Sequence, residues 1–283
     1  MAFGRLENYF EATRRVMEFR FVLPDDPRYR MNFDGTPNPY YERKTKTLIV
    51  LNGYTHNNLE WLMHTNIIDV ARKYNVAVFL PSGENCFYTN CEGVNDHFAD
   101  YVGDQLVYYV TKCFGLSEDR EDRYVMGLSM GGFGALHTGL AYPQNFSKIA
   151  AFSSALILHE VAKLHPGDSN AGGDYAYYSR VFGKPEDVLT SNDNPEQLIL
   201  NMLADGTKIP DLYLACGSED FLLEPNLWLV DFLKKHNVPH IYHQSPGGHD
   251  YNFWLPYTER AVRWMIGEPE LEAGASPVGG MIQ

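Results

Sequence analysis

The sequence is short of cations. It carries 23 Lys and Arg against 36 Asp and Glu, a formal net charge of −13. Nucleic acid and anionic membrane surfaces are bound by clustered cations, so neither is expected as a partner. The balance favours neutral or cationic substrates instead. No apolar run approaches the about 18 residues that a membrane-spanning helix needs. The opening stretch, MAFGRLENYFEATRR, has charges throughout and no apolar signal core, which leads to the expectation of a cytoplasmic address. Cysteine is scarce: Cys86, Cys91, Cys113 and Cys216 are all there is, and no two have the spacing of a redox or zinc pair. A chain this long needs no covalent staples, so Cys86 and Cys91 are expected as free thiols, and Cys113 and Cys216 as small buried hydrophobes. No HExxH and no compact His/Cys/Asp set occurs, so neither a metal nor a cofactor is expected. His56 and His64 read as structural. Repeats and heptads are missing as well.

What is present is core material. Hydrophobic residues make up 45% of the chain, with 16 Phe, 19 Tyr and 4 Trp, which excludes disorder over most of the length. Continuous apolar runs at 47–51 (TLIVL), 76–80 (VAVFL), 124–128 (YVMGL), 148–153 (KIAAFS) and 212–216 (LYLAC) read as buried parallel strands. Segments 16–23 and 240–244 are strand-like too. Helical spacing fills 58–72, 97–113, 132–141, 224–235 and 250–266. Strands alternating with helices predict a mostly parallel α/β sheet covered on both faces. One domain is expected over 1–283, with its core at 16–266. The segment 25–44 reads as a long loop, 155–202 as an irregular insert of the lid kind, and 267–283 as a fraying tail. In such sheets chemistry gathers beyond the carboxyl ends of the strands.

Gly127-Leu128-Ser129-Met130-Gly131 fits G-x-S-x-G. It lies between a buried strand and a helix that opens on a glycine pair, the setting of a nucleophile elbow that lifts Ser129 above the sheet edge. The bland alternative is a Gly-rich turn with an inert serine. A serine hydroxyl needs a base to take its proton and an acid to orient that base, in the chain order Ser, acid, His. Asp220 follows the 212–216 strand on a Gly-containing turn, with Glu219 its nearest rival. Among ten histidines, His249 alone combines that order with a glycine approach and a strand's end. An imidazole can accept and return a proton near neutral pH. A tetrahedral intermediate needs two backbone N–H donors. One belongs to Met130, after the nucleophile; the other is expected from the loop 52–56, at Tyr54, where Gly53 permits close approach.

With these residues placed, the chain resembles the bacterial tributyrin-esterase family. These enzymes are relatives of esterase D (S-formylglutathione hydrolase) and of the feruloyl and acetyl-xylan esterases. The marks are GLSMGGFGA at 127–135, GSEDFLL at 217–223, GGHDYNFW at 247–254 and NCFYTN at 85–90. The resemblance implies an α/β-hydrolase fold, hydrolysis of short-acyl esters without a cofactor, a triad of Ser129, Asp220 and His249, and an oxyanion hole from Tyr54 and Met130. One departure is plain: Asn52-Gly53 stands where the family usually has His-Gly.

Candidate walls of the substrate site are Gly53, Tyr54, Trp61, Phe87, Tyr88, Phe221, Leu222 and Trp254. The aromatics suit an aryl acid or a sugar, although plain core packing is weighted higher for Trp61 and Trp254. The expected activity is a serine carboxylesterase acting on acetyl to butyryl esters, including carbohydrate esters of plant walls. A thioesterase like S-formylglutathione hydrolase and a feruloyl esterase stay open, as does a hydrolase-shaped binding protein without turnover. Self-association into a homo-oligomer also stays open.

Overall fold

In the computed structural model of the chain, residues 1–32, 34–91 and 95–269 are described. Apart from 267–269, the expected tail lies outside them.

Two antiparallel strands open the chain, Ala2–Phe10 (β1) and Arg15–Leu23 (β2). The first is absent from the sequence reading, because its charges and Gly4 hide an alternation that becomes clear only once Leu6 and Phe10 turn inward. Next come Lys46–Leu51 (β3), Glu60–His64 (α1), Ile67–Tyr74 (α2) and Val76–Pro81 (β4). The helix expected over 58–72 is broken in two, since Thr65 is extended at φ −130 and ψ 173. A short antiparallel pair, Asn90–Cys91 (β5) with Asp96–His97 (β6), precedes Phe98–Asp100 (α3), a wider π turn at Tyr101–Gln105, and Leu106–Phe114 (α4). Arg123–Leu128 (β7), Met130–Ala141 (α5) and Lys148–Phe152 (β8) form the centre. The insert after β8 contains Leu158–Val161 (α6), Tyr175–Phe182 (α7) and Pro195–Asp205 (α8). Asp211–Gly217 (β9), Leu223–Lys235 (α9), His240–Ser245 (β10) and Tyr251–Met265 (α10) complete the described fold.

Among the described residues eight strands make one sheet in the order β1-β2-β4-β3-β7-β8-β9-β10. The β1–β2 and β2–β4 pairs are antiparallel and the rest are parallel. The central strands are apolar without alternation because both faces are covered. Ile49, Phe79 and Val125 enter the core layer that also holds Val110 and Phe133, whereas Leu48, Val78 and Met126 enter the layer that holds Val70 and Val262. The 25–44 segment packs on α2: the Tyr41 hydroxyl donates to the Arg72 carbonyl at 2.6 Å, and the Tyr40 ring meets Tyr74 edge-on.

All four cysteines are free, and Cys86, Cys91 and Cys216 are buried. Cys113, expected in the core, is exposed instead. The inward stripe of α4 runs through Leu106, Val107, Val110 and Thr111, and Cys113 falls off it. Among the described residues no helix is long and apolar enough to cross a membrane.

Candidate active site

Ser129 sits between β7 and α5 at φ 55 and ψ −120. Such a conformation costs a non-glycine residue about 1–3 kcal/mol, so its surroundings must hold it there. They do. Its N–H donates to the Phe152 carbonyl at 2.9 Å, and its own carbonyl accepts from the N–H groups of Phe133 (3.1 Å) and Ala155 (2.9 Å). The flanking glycines are required by space. A Cβ at Gly127 would lie 2.0 Å from the Gly131 carbonyl oxygen, and one at Gly131 would lie 2.2 Å from that of Leu51. This crowding presses the end of β3, and the loop after it, against the serine.

His249 Nε2 lies 2.9 Å from Ser129 Oγ, and His249 Nδ1 lies 3.0 Å from Asp220 Oδ2. The acid and base loops are tied to each other. Ser218 N–H donates to the Ser245 carbonyl, Glu219 N–H donates to the Gly247 carbonyl, and Gly247 N–H donates to the Glu219 carboxylate. A Cβ at Gly217 would come within 2.0 Å of the Gly247 oxygen, so the two turns can meet only over a glycine. Glu219, the rival acid, is thus engaged with the backbone of the histidine loop, while Asp220 faces the imidazole.

Burial alone would push the Asp220 carboxyl up. Hydrogen bonds from His249, from the Ser153 hydroxyl and from the Leu222 N–H outweigh it and hold the group below its ordinary value. Asp220 is therefore ionised and orients Nδ1–H, leaving Nε2 free to accept from the serine. The Ser153 hydroxyl is itself fixed, because Trp254 Nε1–H donates to it at 2.9 Å.

The loop 52–56 follows β3 at the same sheet edge. Among the described residues, neither the Tyr54 N–H nor the Met130 N–H is used in a hydrogen bond to protein. Asn52 shapes this loop from within. Its Oδ1 accepts from the Gly83 N–H (3.1 Å) and the Tyr88 hydroxyl (3.0 Å), and its Nδ2 donates to the Gly53 and His56 carbonyls. Where the family usually has histidine, the amide reaches four partners in one buried position.

Sequence reasoning missed Glu60. Its buried carboxylate accepts from the Gly53 N–H at 2.6 Å and from the Tyr251 hydroxyl at 2.7 Å. It braces the loop beside Ser129 and links it to the first residue of α10. Ser153 and Asn226 were missed as well; Asn226 ties both backbone groups of Ser154. A polar residue inside a helical apolar pattern gives no signal that tertiary contacts will bury it.

The expected substrate walls divide. Phe221 is 75% exposed, with its ring 4.5 Å from that of His249. Tyr54 leans on Phe87 and Tyr177, and its hydroxyl donates to the Gly172 carbonyl of the insert at 3.0 Å. Leu222 is buried beside Asp220, and Gly53 abuts Leu128 and Ser129. Trp61 and Tyr88 are fully buried, their polar atoms bonded to Leu51 and Asn52. Trp254 is buried edge-on to His249. These last three pack beneath the site. Tyr177, which donates to the Asn85 carbonyl at 2.6 Å, ties the insert to the 84–91 loop.

An acetyl esterase of Caldicellulosiruptor saccharolyticus is 36% identical over 268 residues, spanning 94% of this chain and 98% of that protein. The fluorophosphonate-binding serine hydrolase FphF of Staphylococcus aureus, solved with substrate bound, superposes with a TM-score of 0.80 at 27% identity, over 94% of this chain and 99% of that one. The S-formylglutathione hydrolase FrmB of the same organism gives 0.77 at 27% identity, with the same coverage. The mostly parallel sheet expected from the strand pattern, and the α/β-hydrolase fold implied by the resemblance, are the ones observed. The Esterase family model matches residues 11–265, and the chain belongs to that family as a carboxylic ester hydrolase of the serine type.

Proposed function

We propose that Ser129 is the nucleophile, His249 the general base and acid, and Asp220 the group that orients the imidazole, with the Tyr54 and Met130 N–H groups as the oxyanion hole. One observation carries this reading: the unbroken contact from Ser129 Oγ through His249 to Asp220, at 2.9 and 3.0 Å. Nε2 takes the hydroxyl proton as Oγ attacks the ester carbonyl. The tetrahedral oxyanion rests on the two N–H groups, each worth about 3 kcal/mol in comparable sites. Imidazolium then returns the proton to the departing alkoxide, which leaves an acyl-Ser129. Water, deprotonated by the same imidazole, hydrolyses that ester and restores the serine.

The acyl group is short, acetyl to butyryl, in keeping with the acetyl esterase relative. The alcohol half is a small molecule or a sugar, such as a plant-wall carbohydrate ester, that lies against the open face of Phe221 beside the imidazole. The insert 155–202 acts as a lid fixed to the oxyanion loop through Tyr54 and Gly172. The site of action is a reducing, cytoplasmic one: Cys86 and Cys91 are unbonded thiols in mutual contact, as in proteins kept reduced. The likeness to an S-formylglutathione hydrolase favours a second reading in which a thiolate leaves instead.

Ser129→Ala should abolish hydrolysis of p-nitrophenyl acetate and labelling by a fluorophosphonate probe, with an unchanged circular dichroism spectrum. Turnover on acetylated xylo-oligosaccharide should exceed turnover on S-formylglutathione. The reverse ranking would select the thioesterase, and a variant that keeps full activity would remove Ser129 from the chemistry.

A further inference from the structure

An outer strand with nothing paired to it is a hazard that proteins blunt with proline, lysine, bulges or a covering element. Among the described residues β1 is the outermost strand of the sheet and pairs with β2 alone. It has none of those sequence devices. Its nine residues contain no proline or lysine, and its register with β2 runs from Ala2 opposite Leu23 to Phe10 opposite Arg15 without a bulge. Half of its backbone groups therefore face outward as a regular row of donors and acceptors.

The side chains along this edge are ordered. Phe3, Arg5, Glu7 and Tyr9 project from one face of the strand, the two aromatics being 64% and 53% exposed. This series is complementary to itself when reversed about Leu6. We propose that β1 pairs antiparallel with β1 of a second copy around a two-fold axis at Leu6, joining two sheets into one. In that register Arg5 faces the partner's Glu7, and Phe3 faces the partner's Tyr9. The symmetry makes each contact occur twice.

The charges also select the register. A slip that keeps the same side chains on the same face moves the pairing centre by one residue. Towards the N-terminus, such a slip sets Arg5 against the partner's Arg5; towards the C-terminus, it sets Glu7 against the partner's Glu7. Like charges directly opposite are destabilising, so both neighbours are disfavoured and the Leu6-centred pairing stands apart. Within one protomer Arg5 already contacts Glu7 on its own strand and Glu18 on β2, so its charge stands among carboxylates with which the partner's Glu7 would share it. A single strand pair buries less than a standard interface, so the dimer is expected to dissociate at micromolar rather than nanomolar concentration.

Sedimentation velocity of the full chain, across micromolar to hundreds of micromolar loading, tests this. The wild type should dimerise. Arg5→Glu and Glu7→Arg should each weaken the dimer at least ~10-fold, because each sets two like-charge pairs across the axis. The double variant should recover to within ~3-fold of the wild type. Phe3→Lys, which leaves the contacts of Arg5 with Glu7 and Glu18 untouched, should also give monomers and serves if a charge variant misfolds. Esterase activity of every variant should match the wild type, since β1 lies at the sheet edge away from Ser129, and this confirms folding. A wild type that stays monomeric overturns the proposal and leaves the edge to a foreign strand. So does a dimer indifferent to the single changes, or one that the double change fails to restore.

Discussion

Glu60 and Tyr251, 191 residues apart in the chain, share a 2.7 Å hydrogen bond beneath the site. The same carboxylate holds the Gly53 N–H at 2.6 Å, so one buried acid fixes the loop after β3 to the start of α10, just past His249. Removing it leaves a buried amide hydrogen without an acceptor, at a cost of about 1–3 kcal/mol. Glu60→Ala should lower Tm by several degrees and lower kcat about 10-fold or more, because it loosens the loop that carries the proposed Tyr54 donor. KM should move less, as the carboxylate is buried away from substrate. Tyr251→Phe should show the same pattern, weaker. Steady-state kinetics beside a thermal melt separate the two effects, and an unchanged kcat would show that the loop holds its shape unaided.

Asp220 is held ionised against its own burial, which gives a sign for its pH dependence. Its folded pKa is below the ordinary carboxyl value of about 3.9. The stability it contributes is therefore fully present above that value and is lost as pH falls through the folded pKa. Asp220→Asn should keep the fold at neutral pH while losing roughly 10³–10⁴ in kcat, through the wrong imidazole tautomer. Its melting temperature should converge on the wild type's in strong acid. Paired pH–rate and pH–melt curves check both statements.

Gly131 is a position where space decides. A methyl group there would press on the Leu51 and Asn52 carbonyl oxygens, backbone atoms that cannot swing aside. Gly131→Ala should destabilise the protein by at least ~2 kcal/mol and reduce soluble yield. A chemical denaturation curve that matches the wild type would mean that the turn can open without loss.

This close packing explains how much was legible in the sequence. The strands at 47–51, 76–80, 124–128 and 212–216 were readable because two covered faces leave no exposed position in them, and their residues are almost all apolar. Ser129, Asp220 and His249 could be singled out in the sequence because each follows a strand on a glycine-bearing turn, with Gly127 and Gly131 two residues either side of the serine, Gly217 three before the acid and Gly247 two before the histidine. β1 was hidden because an edge strand with one wet face looks like a charged leader. The break at Thr65 was hidden because the apolar spacing continues across it. Glu60 and Asn226 were hidden for another reason: their partners, Tyr251 and Ser154, are brought to them only by the folded sheet.

Phe221 is the aromatic that the fold leaves open beside the imidazole. Its ring is 75% exposed at 4.5 Å from His249, whereas Trp254 on the buried side of the same imidazole is committed to Ser153. An exposed ring costs hydration and makes few internal contacts, so removing it should leave stability within about 0.5 kcal/mol of the wild type. In the proposed mechanism the leaving group must pass close to Nε2 to receive its proton, and Phe221 flanks that imidazole. Phe221→Ala should therefore raise KM about 3- to 10-fold for esters of aryl or sugar alcohols and leave ethyl acetate nearly unaffected. Because the acyl-enzyme is the same for every alcohol, kcat for substrates limited by deacylation should not change. A uniform rise in KM across small and large alcohols would place the ring's role in shielding the imidazole rather than in holding the leaving group. Comparing the acetyl esters of ethanol, p-nitrophenol and a xylo-oligosaccharide distinguishes the two.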